Sequence, residues 1–186
     1  MIPHLSAKEL EKFSSFLTPN CSYLEYGCGG STVHASKSVA HVISIDSDPA
    51  WVEQVKEHVT CPHVIEHVDI GRVGNWGYPV DTSGVNSYYK YITQPWTIAK
   101  EKNITPTVIF IDGRFRVACA LYSVLQANLN TKLLVHDYFD RPQYHTIEKF
   151  CTLIDKEETL AVFNITNKFY IENLVLELLK HSARAQ

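Results

Sequence analysis

Two short stretches of this chain concentrate residues that can do chemistry. In Tyr23 to Thr32, YLEYGCGGST, Glu25 is followed by Gly27, Gly29 and Gly30 just past the start of an apolar run. Glycines placed there let the backbone turn with positive φ and approach another group closely, at a cost in chain entropy that a plain loop would not carry. The turn therefore reads as a ligand-binding one, with Ser31 and Thr32 beside it. Asp46 closes the run VISID about twenty residues further on, with Ser47 next to it, where a carboxylate can accept both hydroxyls of a ribose. Together these residues describe a site for an adenosine-containing cofactor. The second stretch is split between IDGRFR, carrying Asp112, Arg114 and Arg116, and HDYFDR, carrying His136, Asp137, Tyr138 and Arg141.

The order of elements decides whether these residues can meet. Ser6 and Glu9 form a capping box in front of Leu10, Phe13 and Leu17 at helical spacing, so a first helix runs to about Pro19. Strand patterns follow at Ser22 to Tyr26, Val42 to Asp46, His63 to Asp69, Thr107 to Asp112, Lys132 to Asp137 and Leu160 to Thr166. Helical patterns lie between them at Val33 to Ser38, Pro49 to Val59, Val117 to Asn128 and Gln143 to Ile154, with a last one at Phe169 to His181. Strand and helix in alternation predict an α/β, Rossmann-like, doubly wound sheet, mostly parallel and covered on both faces. The order 3-2-1-4-5 plus one C-terminal strand is what the family resemblance given below implies for it. Ligands of such sheets bind beyond the carboxyl ends of the strands, which is where both stretches fall.

One region breaks the rhythm. Ile70 to Ser87 is long, carries four glycines and Trp76, and has no periodicity; YYKYITQPWTIAKEK after it is aromatic and helix-like but contains Pro95. Residues 70–96 are expected to form a loop or lid insertion in a single domain spanning 1–186, with a helix packed on the sheet as the equal alternative for the second half.

Totals narrow the classes. A chain of 186 residues is long enough for one well-buried core. Its net charge is -3 and its basic residues are scattered, which does not favour nucleic-acid binding. No apolar run approaches the roughly 20 residues that span a bilayer, and MIPHLSAKEL lacks the regions of a signal peptide, so a cytoplasmic location is expected and no membrane partner. Five cysteines at irregular spacings do not suit a disulfide framework.

A dinucleotide site needs G-x-G-x-x-G, and Thr32 stands where the third glycine belongs. Glu25 would also repel a pyrophosphate while suiting a ligand that presents an ammonium. At these residues the chain resembles the class I S-adenosylmethionine-dependent methyltransferases, whose first motif, acidic-x-Gly-x-Gly, is matched by Glu25, Gly27 and Gly29. The resemblance extends over nearly the whole chain, and EYGCGGST is similar to the form common in small bacterial members. It implies that Glu25 contacts the methionine part of S-adenosylmethionine, that Asp46 holds the ribose and that Asp69 lies by the adenine. Asp112 falls in the family order at the end of the fourth strand.

Methyl transfer is an in-line displacement, for which the enzyme aligns the acceptor and removes its proton where the acceptor needs it. His136 and Asp137 are the expected bases, with Asp112 next. Arg114 and Arg116 open a helix, where a positive charge is disfavoured unless something negative compensates. Either protein carboxylates do so, or an anionic acceptor gripped by Arg114, Arg116 and Arg141, with Tyr138 nearby and Arg72 in reach. Asp112 and Asp137 match two positions that bind a divalent metal in some small-molecule O-methyltransferases, but His136 replaces the paired aspartate of those families, so a metal is not favoured. His58, Cys61, His63 and His67 fit no recognised zinc spacing.

The expected function is thus methyl transfer to a small, in one reading anionic, acceptor. A nicotinamide-dependent oxidoreductase on a Rossmann fold, or a non-catalytic cofactor- or partner-binding module, are the alternatives. So short a chain has little room for a substrate domain, and a homodimer is one way to complete an acceptor pocket.

Overall fold

The computed structural model describes residues 1–185. Its centre is a seven-stranded sheet in the order β3-β2-β1-β4-β5-β7-β6. The strands are β1 (Ser22–Tyr26), β2 (His41–Asp46), β3 (His63–His67), β4 (Val108–Ile111), β5 (Lys132–Val135), β6 (Cys151–Glu157) and β7 (Leu160–Ile165). The first five pair in parallel, and β7 runs antiparallel to both β5 and β6. The helices are α1 (Ala7–Ser14), α2 (Gly30–Ala35), α3 (Pro49–Lys56), α4 (Tyr88–Glu101), α5 (Arg116–Gln126) and α6 (Ile171–His181).

The central strands are apolar along both faces because both are covered. Leu24, Ile43, Ile109, Ile111 and Val135 pack against Tyr91, Trp96 and Leu121 from α4 and α5. Tyr23, Val42, Phe110 and Leu134 face the other way, onto Phe13, Val33 and Val52. Each such large side chain stabilises the fold by about 1.5–3 kcal/mol through burial alone. Among the described residues no helix is long and apolar enough to cross a membrane.

The structure corrects the expectation of a single C-terminal strand. The helix predicted over Gln143 to Ile154 is instead a run of 3-10 turns at Pro142–Lys149 followed by β6. Ile147, Phe150, Cys151 and Ile154 have helical spacing, which is why the sequence reads so. From Cys151 onward the side chains alternate between sheltered and exposed, and the backbone is satisfied by β7 across a bulge between Leu153 and Asp155.

Tyr88–Glu101 is likewise one unbroken helix despite Pro95. A proline there removes a hydrogen bond and crowds the preceding turn. Tyr88, Tyr91, Ile92, Trp96 and Ile98 around it are all buried, so tertiary packing carries α4 through. The second half of residues 70–96 thus takes the helical alternative, and the non-repetitive stretch ends in the 3-10 turn Val85–Ser87.

Candidate active site

Strand register brings the two chemical stretches to one level. Tyr26 lies opposite Ile45 and Ile111, and Ile111 opposite Val135. Gly27, Asp46, Asp112 and His136 each come one residue later, so they form a row across the carboxyl edge of four adjacent strands.

The three glycines of the first stretch have different reasons to be glycine. Gly27 has φ 93°, and a Cβ on it would lie 2.5 Å from the Cα of Gly113 in the turn after β4. A Cβ on Gly30 would lie 2.1 Å from the Ile2 carbonyl oxygen, because the N-terminal segment crosses there. Gly29 has extended backbone, φ 176°, and its Cβ would meet only the Trp51 ring, at 3.8 Å. No atom therefore crowds a side chain's position at 29, in contrast to 27 and 30. Trp51 donates from Nε1 to the Cys28 carbonyl at 2.7 Å and so fixes the turn from one side.

Glu25 is fully buried beneath this turn. It accepts hydrogen bonds from the hydroxyls of Ser31, Thr32 and Ser44, while Thr32 Oγ1 accepts from the Gly29 N–H at 2.8 Å. Burial pushes its pKa up to about 8, although the Ser31 and Thr32 hydrogen bonds oppose the shift. Glu25, Ser31 and Thr32 are therefore bound to one another and hold the turn's shape.

Asp46 lies at the end of β2, where the Asp48 backbone N–H donates to Oδ1 at 3.1 Å. Among the described residues no side chain donates to this carboxylate. Burial raises its pKa to about 6, restrained by the Asp48 and Ser47 amides. Ser47 is buried, its hydroxyl donating to the Gly77 carbonyl at 3.4 Å, and Asp69 is exposed, accepting from the Gly71 N–H at 2.8 Å.

The ends of β4 and β5 carry a dense ionic network. His136 Nδ1 lies 2.9 Å from Asp112 Oδ1, and its Nε2 is 3.6 Å from Glu9 Oε2 on α1. Arg116, almost fully buried, pairs at 3.0 Å with both Asp112 and Asp137 and also donates to the His136 carbonyl at 2.7 Å. Arg141 pairs with Asp137 at 2.9 Å. Burial depresses the His136 pKa, but the hydrogen bond and charge of Asp112 more than offset this, and the net direction is upward. Burial acts to raise Asp112, but His136 and Arg116 hold it below the usual carboxylate range.

Asp112, His136 and Asp137 present donor atoms within 4.8 Å of one another, but the Arg116 guanidinium bridges the two carboxylates. A divalent ion would have to share them with a buried full positive charge, so these residues do not fit a metal. Among the described residues His58, Cys61, His63 and His67 are not gathered into a donor group.

The remaining expected residues separate. Tyr138 is fully buried and donates to Glu148 at 3.0 Å, so it faces the core instead of the strand ends, and Arg72 is on the surface. Arg114 is 5% exposed; its guanidinium stacks on the Tyr78 ring at 3.9 Å, with Nε and Nη1 sealed from solvent and without partners among the described residues. Phe115, next to it, holds the left-handed φ of 55°, a strained value for a bulky side chain, and is pinned by the Tyr88 and Tyr91 rings. Glu9 and Tyr78 were not visible as site residues in the sequence. Glu9 is accounted for locally by its capping box, and Tyr78 lies in an aperiodic loop.

The fold matches known proteins. A methyltransferase-like protein from Silicibacter pomeroyi DSS-3 is 30% identical, with 98% of this chain and 97% of that one covered and a TM-score of 0.88. The chain belongs to the class I S-adenosylmethionine-dependent methyltransferase-like fold family. Two more distant structures share the fold. The N-methyltransferase NodS from Bradyrhizobium japonicum WM9, solved with S-adenosyl-L-homocysteine, is 11% identical over 87% of this chain and 89% of that one, TM-score 0.54. A TehB-like SAM-dependent methyltransferase from Corynebacterium glutamicum is 10% identical over 88% and 90%, TM-score 0.51. No protein-family model matches the chain, and no curated protein does.

Proposed function

We propose that this protein binds S-adenosylmethionine and transfers its methyl group to a small acceptor, anionic in the form that binds. The observation that carries the reading is the pairing of Gly29, where a side chain would meet only the Trp51 ring, with Asp46, a carboxylate to which no side chain among the described residues donates a hydrogen bond, at adjacent strand ends. S-adenosylmethionine supplies an electrophilic methyl on a sulfonium. Asp46 would hold the ribose hydroxyls, the Gly29 backbone would lie against the cofactor, and Asp69 would border the adenine. Glu25 acts at one remove, keeping the turn in place through Ser31 and Thr32.

His136 is the group best suited to take a proton from the acceptor. Asp112 and Asp137 are committed to Arg116, whereas an imidazole that donates from Nδ1 to Asp112 keeps Nε2 as the acceptor. Asp112 and Glu9 then stabilise the imidazolium that forms. Arg116 positions both aspartates and touches no acceptor.

Calorimetric titration tests the proposal against its rivals. S-adenosylhomocysteine should bind to the wild type and NAD should not, Asp46→Ala should abolish binding, and His136→Gln should retain it. Preference for NAD would support the oxidoreductase reading, and binding unaffected in Asp46→Ala would remove Asp46 from the site. A non-catalytic module would bind S-adenosylmethionine yet methylate nothing in a metabolite-extract assay with labelled methyl.

A further inference from the structure

Arg114, alone of the three arginines at these strand ends, forms no close ion pair among the described residues, although the Asp46 and Asp112 carboxylates feel its charge. Arg116 and Arg141, its neighbours at the same strand ends, each pair with carboxylates at 2.9–3.0 Å. Arg114 instead has two buried nitrogens without partners and an aromatic ring over its guanidinium. Burying an ionised group without hydrogen bonds is costly, and the ring recovers only a small part of that cost. The Tyr78 phenol bears on both Arg114 and Arg141: burial would raise its pKa, but these two cations pull it below the ordinary tyrosine value. A spot that favours an oxyanion on a tyrosine favours one on a ligand. The Tyr78 side chain is 40% exposed and so lies at the mouth of this spot, where a ligand can compete with it.

We infer that Arg114, seconded by Arg141, is the receptor for a carboxylate or phosphate group on the methyl acceptor, and that Tyr78 occupies this receptor until the acceptor displaces it. The inference rests on the methyltransferase reading for the word acceptor, but the anion site itself does not. The cofactor carries two cationic groups against one carboxylate, so its own net positive charge would leave Arg114 more in need of an anion, not less. Arg114 comes from the turn after β4 and reaches Gly77 beside Ser47, while Arg141 follows β5, so the two cations approach Tyr78 from different parts of the row.

The test uses benzoate and inorganic phosphate as probes, titrated by NMR into protein labelled at arginine Nε, with and without saturating S-adenosylhomocysteine. One of the two anions should shift the Arg114 Nε resonance at millimolar concentration. Arg114→Gln should weaken that anion's binding by about tenfold or more, the loss of a charge-assisted pair, and Tyr78→Ala, a change on an exposed loop, should tighten it several-fold. Arg114→Gln should leave S-adenosylhomocysteine affinity within about twofold, well under the loss of one such contact. Failure of both anions to bind the wild type, or anion affinity unchanged in Arg114→Gln, overturns the inference. A selective loss of S-adenosylhomocysteine binding in Arg114→Gln overturns it too, by assigning Arg114 to the cofactor carboxylate. Anion binding in a protein that ignores S-adenosylhomocysteine would instead sink the cofactor reading and leave the anion receptor standing.

Discussion

Gly27 and Gly113 lie backbone against backbone, so that a methyl group on Gly27 would come within 2.5 Å of the Gly113 Cα. This contact joins the turns after β1 and β4, and it sets the spacing between the two strand ends. Neither turn can move without the other.

Gly27→Ala combines a positive-φ penalty with a backbone collision and should cost roughly 2–4 kcal/mol, read as a lowered denaturation midpoint. Gly29→Ala meets only the edge of Trp51 and should cost less than about 1 kcal/mol. Its effect should appear in S-adenosylhomocysteine affinity instead. A large stability loss in the second variant would mean that the fold, not a ligand, requires that glycine.

Affinity for S-adenosylhomocysteine should fall as the solution is acidified through about pH 6, the value to which burial raises Asp46. A protonated carboxyl no longer accepts two hydroxyl hydrogen bonds, so binding is full above that pH and lost below it. Isothermal titration between pH 5 and pH 8 would show this as proton release or uptake tracking one group. The dependence should vanish in Asp46→Asn; its persistence there would place the titrating group elsewhere.

His136 should titrate above its ordinary value of 6.5, because the partnership with Asp112 outweighs burial. Asp112→Asn should lower its pKa by about one unit or more in a histidine NMR titration. A folded-state pKa raised in this way contributes stability that is complete below pH 6.5 and disappears as pH rises through the folded value. Asp112→Asn should therefore destabilise the protein more at pH 6 than at pH 9.

Glu25 retains its proton up to about pH 8 in the folded protein, against 4.5 for an ordinary glutamate. Between those values the unfolded chain has lost the proton and the native one has not. Stability should therefore decline with rising pH at up to about 1.4 kcal/mol per pH unit from this group, and the decline should end above its folded pKa. Glu25→Gln should remove that slope and cost little at neutral pH. An unaltered pH profile would show that Glu25 is ionised in the native state.

The amino-acid order alone was enough to place Gly27, Asp46, Asp112 and His136 at strand ends, since apolar runs closed by polar residues mark where a parallel sheet meets its crevice. The order of the first five strands followed from the family resemblance that these residues carry, and the pairing agrees with it. The β6–β7 hairpin and the unbroken α4 were decided by tertiary contacts: helical spacing around Ile147 to Ile154 yields to pairing with β7, and Pro95 is overridden by buried aromatics. The roles of Glu9, Tyr78 and Arg114 belong to the same level. A side chain's partner more than a hundred residues away, as Thr159 is for Glu9, leaves no periodic trace in the chain. Only the folded arrangement shows that Arg116 is paired with two carboxylates while its neighbour two residues earlier is buried with no close ion pair among the described residues.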